Sequence, residues 1–231
     1  MRKNTEMKLR SAVALPIIAV FSIGCTMAPP TIDTSEGAEV TFDGLNEVLH
    51  SNADKAWAVP DLDLSGYTKI MLRGEGIEYR PGGESGRTSI SRSRGGPYEV
   101  SESQKERLLA VVREEFREEL GKSTRYTIVE ESGPDVLMVR GALLDVVSNV
   151  PPETVGRSQI YLSSVGEATL VVELRDSITG AILARAVDRD AAEDMGGSLS
   201  ESNRVTNTAD VRRLVKRWAR SLREGLEGFG N

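Results

Sequence analysis

Hydrophobic positions along this chain fall into two periodicities. Between residues 101 and 121, Leu109, Val112, Phe116 and Leu120 share one face of a 3.6-residue repeat, with Leu108 and Val111 beside it. That spacing predicts an amphipathic helix. Ser101 and Gln104 supply a capping box at its start, and Gly121 suits its C-terminal cap. A second helix is predicted after Thr208. Val211, Leu214, Val215, Trp218, Leu222 and Leu226 form its apolar stripe, while Arg212, Arg213, Lys216, Arg217, Arg220 and Arg223 cover the other side.

Elsewhere the period is two, which predicts strands. In 67–80, Ile70, Leu72, Ile77 and Tyr79 are apolar, and Gly74 and Gly76 mark a bulge. A short strand is expected at 126–129 and a longer one at 135–150, ended by Pro151 and Pro152. Segments 160–175 and 182–188 read as a hairpin. Leu170, Val172 and Leu174 face one way, and Thr169, Val171, Glu173 and Arg175 the other. Its turn is 176–180, where Gly180 is free to take positive φ. The order β-α-β-β-β-β-α predicts an α+β fold: a mainly antiparallel sheet of about five strands, with two amphipathic helices packed on one face. Before it, Phe42, Leu45, Val48 and Leu49 predict a short amphipathic turn or helix. A strap laying Trp57 on the domain follows, held extended by Pro60. Segments 81–97 and 190–207 are polar and glycine-containing, as connecting loops are.

Length and composition suit one globular domain: 231 residues, 39% hydrophobic and 28% charged. The formal charge of -6 argues against nucleic acid as a general partner. The single cysteine leaves no disulfide framework, and no segment beyond the leader is apolar enough to span a bilayer. The leader itself is distinctive. Arg2, Lys3, Lys8 and Arg10 precede an apolar run at 11–23, and small residues lead to Cys25. The stretch Phe21-Ser22-Ile23-Gly24-Cys25 resembles the lipobox of bacterial lipoproteins, with Ser22 standing where leucine is usual.

That resemblance implies a cleaved signal peptide at 1–24 and a lipid-modified Cys25. A polar, proline-containing tether follows at 25–41, and a single periplasmic α+β domain at 42–231. Thr26, where aspartate would favour the inner membrane, implies the outer membrane. The run Ala56-Trp57-Ala58-Val59-Pro60, continuing to Ser65-Gly66-Tyr67-Thr68-Lys69-Ile70, resembles the start of a bacterial lipoprotein family known as domain of unknown function 3313. That family implies a helix, several strands and a final helix. It brings no established activity.

No catalytic constellation emerges. His50 is the only histidine, which removes His-based triads and multi-His metal sites. Asp188, Asp190, Glu193 and Asp194 crowd the hairpin end without the spacing of an EF-hand, and read as a solvated acidic edge. Arg87, Arg92 and Arg94, with Arg80, offer a possible anion-binding loop for phosphate or carboxylate groups. The basic side of the last helix reads as its water-facing side, and Trp57 and Trp218 as packing residues. The expectation is therefore a non-enzymatic lipoprotein, with no cofactor and no metal. Its partners are the membrane, through the lipid on Cys25, and an envelope protein or cell-wall component. Two alternatives remain: a carrier for a lipid or small ligand between sheet and helices, and an envelope hydrolase using Asp188 and Asp190.

Overall fold

A computed structural model describes residues 28–80, 98–151, 159–193 and 199–229. The chain runs through β1 (Thr31–Ile32), β2 (Asn46–Leu49), β3 (Lys55–Ala58), β4 (Lys69–Tyr79), α1 (Glu102–Leu120), β5 (Thr127–Ile128), β6 (Val136–Ser148), β7 (Tyr161–Leu162), β8 (Ser164–Asp176), β9 (Ile182–Glu193), β10 (Ser200–Glu201) and α2 (Arg204–Gly228). Eight strands form one sheet in the order β1-β2-β3-β9-β8-β6-β4-β5, while β7 and β10 pair apart from it.

The α+β class and the two helices agree with the sequence. The sheet is larger and more mixed than expected. It has eight strands rather than about five, and β4 runs parallel to both β5 and β6. The order β4-α1-β6 is the reason: a helix between two strands carries the chain back to the starting edge, so the second strand enters parallel. The strands missed in that sheet are β1, β2 and β3, too short for alternation to register, and β10 was missed within the expected 190–207 loop. Residues 46–49, expected as an amphipathic turn or helix, pair with β3, and Trp57 sits in β3 opposite Arg185. Within the expected tether, Thr31 and Ile32 pair with Leu49 and Val48. Cys25 and the arginines Arg87, Arg92 and Arg94 lie outside the described residues, as does Asp194.

The hairpin β8–β9 follows the alternation closely. Val165, Ala168, Leu170, Val172 and Leu174 are buried and join one core with Leu137, Val139, Leu143, Leu214, Trp218 and Leu226. Gly180 at the turn has φ 72°, and Asp176 secures that turn by accepting from the Thr179 N–H at 2.7 Å. Two glycines act through space or conformation. Gly76 (φ 120°) lies at a register shift between β4 and β6, as the glycine pair predicted. Gly166 admits the backbone of β6: an added Cβ would stand 2.2 Å from the Val147 oxygen.

Both helices cover the same core, and a charged seam joins them. Glu115 and Glu119, on α1, are buried at 4% and 2% exposure. Glu115 accepts from Arg212 at 3.1 Å. Glu119 accepts from Lys122 at 2.8 Å and lies 3.8 Å from Lys216. The hydrophobic stripe did not reveal these glutamates. The second helix also starts earlier than Thr208: Asn203 is its cap, accepting from the N–H groups of Val205 and Thr206 at 3.0 Å.

Candidate functional site

The sheet face toward α2 carries unusually small side chains on two neighbouring strands. Ala56 lies opposite Ala186, and Ala58 opposite Ala184. Alternation turns all four toward the helix side, because Leu174 and Val172, their register partners on β8, are core residues. Above them α2 presents Trp218, Leu222, Gly225 and Leu226. Methyl groups facing a helix glycine do not fill the space between the layers, and a hollow of about 120 Å³ remains. Pro30, the 51–53 turn and Phe229 also border it.

One end of the hollow is polar. Asp188 follows Ala184 and Ala186 on the same face of β9 and reaches into the lining. Burial pushes its carboxyl above the usual carboxylate range, and the negative charge of Asp54 pushes the same way. The Asp54 backbone N–H and the Trp218 indole oppose that rise. Trp218 is 3% exposed, and among the described residues its Nε1 finds no hydrogen bond of normal geometry. An acidic carboxyl and an N–H donor that meet in poor geometry thus stand together in the wall of a mostly apolar chamber. The sequence offered a signal for this: alanine, alanine and aspartate at a spacing of two. Read as an acidic edge, it concealed that Asp188 faces the helix.

The other acidic residues of that group behave differently. Asp190 is engaged by the Arg217 guanidinium. Asp188 and Asp190 lie one alternation apart on β9, opposite Leu170 and Ala168. Among the described residues, no three of the His, Cys, Asp and Glu side chains group so as to hold a metal ion. His50 is exposed, at φ 59° in the turn between β2 and β3.

The opposite face of the sheet is charged, and its groups are matched. Arg185 donates to Asp43 at 2.6 Å and to Glu173 at 3.0 Å, and Arg140 donates to Glu75 at 2.8 Å. Asp145 accepts from Arg80 and Arg189, which hold its carboxyl down at about 2. Arg80, grouped by the sequence with the loop arginines, is therefore committed to this network. Cross-strand pairs of this kind hold a solvated face together and leave little charge for a ligand.

A family model described as "Protein of unknown function (DUF3313)" matches residues 34–222. No curated protein matches the chain. Among solved structures, a PelC dodecamer from Paraburkholderia phytofirmans is 12% identical, with a TM-score of 0.35, covering 73% of this chain and 94% of that one. The protein XCC0632 from Xanthomonas campestris is 12% identical, with a TM-score of 0.37, covering 68% of this chain and 81% of that one.

Proposed function

The chain belongs to the DUF3313 family, and from that premise we propose that it is a lipid-anchored, non-enzymatic binding module of the bacterial envelope. In this reading Cys25 carries the lipid and holds the domain at the periplasmic side of the outer membrane. The hollow between the β3–β9 surface and α2 receives an apolar group from an envelope component.

The observation that carries the binding role is the hollow itself. Its walls are mostly methyl, methylene and ring carbons from both layers. An apolar chamber of roughly 150 Å³ stays dry and takes a benzene-sized guest, and this one approaches that size. Such a chamber gains by filling, because its lining atoms lack dispersion partners on one side. The support for the address is the leader sequence: a basic start, an apolar run and Cys25 after small residues. Acylation by more than one chain would hold the protein stably at a membrane, where one chain binds only marginally.

Two experiments test the two halves separately. Toluene titrated into the purified full chain, followed by ligand-detected NMR, is expected to bind wild type and not Ala186→Leu, whose added carbons occupy the chamber. Equal binding by both would remove the hollow from the reading. Radiolabelled palmitate is expected to mark wild type and not Cys25→Ser, and equal labelling would remove the anchor.

A further inference from the structure

We propose that the Asp188 end of the hollow is a head-group subsite, selecting an apolar ligand that ends in a neutral hydroxyl. This inference rests on the reading of the hollow as a binding chamber and adds the chemistry of its ligand.

Two independent features of the site lead there. The first is Asp188, an acceptor in a mostly apolar lining. The second is Trp218 Nε1, a donor on a side chain that is 97% buried and, among the described residues, reaches Asp188 without a hydrogen bond of normal geometry. Buried N–H groups nearly always find a well-placed partner, so this one gains from an acceptor better placed than the Asp188 carboxylate. The indole influences the Asp188 carboxyl without closing a normal hydrogen bond to it. A single oxygen placed between them satisfies both: it accepts from Nε1 and donates its own proton to the carboxylate. A hydroxyl does this with one atom.

Other head groups fit less well. A carboxylate would face the charges of Asp188 and Asp54 in a poorly solvated place. An ammonium would satisfy Asp188 but leave the indole N–H unpaired and facing a cation. A hydrocarbon would add a partner to neither. Ser51, Asn52 and Ser221, which also contribute to the lining, are neutral, and the Arg185 guanidinium is paired with Asp43 and Glu173, so the ranking is unchanged. Size limits the apolar body to a ring or a short alkyl stretch inside the chamber.

The test uses the full chain carrying Cys25→Ser, so that no acyl group competes. Hexanol, hexylamine, hexanoate and toluene are titrated and followed by ligand-detected NMR. Hexanol is expected to bind about tenfold more tightly than hexylamine or hexanoate, the effect of about one net hydrogen bond or more. Trp218→Phe, which keeps a ring and removes the N–H, is expected to erase that preference while toluene binding persists. Asp188→Ala is expected to do the same, and toluene binding verifies that each variant is folded around its chamber. Toluene and all three hexyl probes binding without preference would overturn the head-group subsite and leave the binding chamber standing. So would a preference that survives Trp218→Phe, since a trapped water would then explain the indole. Binding of no probe at all, toluene included, would overturn both.

Discussion

The carbonyl oxygen of Val147 lies 2.2 Å from where a Cβ on Gly166 would stand. The contact falls beside the register shift in β6, where that strand bends against β8. No flexible side chain is available to yield, because the obstacle is backbone. Gly166→Ala is therefore expected to cost about 3 kcal/mol, at the upper end for overpacking. Chemical denaturation of the variant checks this. The same change at Gly141, where an added Cβ meets nothing within 4 Å, is the control.

The bulge in β6 also places Asp145 at φ 52°, a conformation that favours glycine and asparagine. Asp145→Asn keeps the backbone preference and loses the charge. Asp145→Val loses both, and is expected to be about 1–2 kcal/mol less stable than Asp145→Asn. Comparing the two by thermal unfolding separates the backbone cost from the ion pairs.

Titration should single out the same residue. Arg80 and Arg189 depress its folded-state pKa to about 2 from an ordinary value of 3.8. A depressed carboxyl pKa stabilises the fold above the ordinary value, and the benefit is lost as pH falls through the depressed one. Carbon-detected NMR is expected to show Asp145 still ionised where most aspartates have taken up a proton. Arg189→Ala should move its midpoint upward.

Asp188 is expected to show the opposite sign. Its pKa is raised, first by burial and then by Asp54. A raised carboxyl pKa means that the folded state prefers the proton, so the ionised form weighs against folding as pH rises through the folded pKa. Asp188→Asn should raise the melting temperature at neutral pH. It should have no such effect in acid, below the ordinary carboxyl range, where the native residue is already neutral. A rise of equal size at both pH values would show that the charge is not responsible.

The helix seam gives a fifth measurable quantity. Glu119 is 2% exposed and accepts from Lys122, with Lys216 also within 4 Å. Removing one member of a buried charged group leaves the others uncompensated. Glu119→Gln is expected to cost about 2 kcal/mol, reduced from the fully buried case because the two lysines are partly exposed. A double-mutant cycle with Lys216→Met should show coupling between the helices.

The long elements were legible because their side chains alternate over many residues. Leu170, Val172 and Leu174 declare the inner face of β8 without any tertiary knowledge, and Ser101 with Gln104 marks the start of α1. The short strands were not legible, because four residues such as Lys55–Ala58 acquire strand geometry only by pairing with β9, far along the chain. The chamber was hidden for a related reason. An alanine on one strand says nothing by itself; Ala56 and Ala186 create a void only when register sets them side by side beneath Gly225. Glu115 and Glu119 escaped notice because charge ordinarily signals water, and here it signals the neighbouring helix.

Register also sets a schedule for the nascent chain. The ladders from β6 through β9 join segments that follow one another closely, so they can zip as soon as they are made. β3, by contrast, cannot complete its ladder with β9 until residue 187 exists, and the roof of the chamber arrives only with α2. A chain halted before residue 204 therefore owns a floor without a roof and presents a greasy surface to any passing chaperone. Completion of the last helix is the event that hides it.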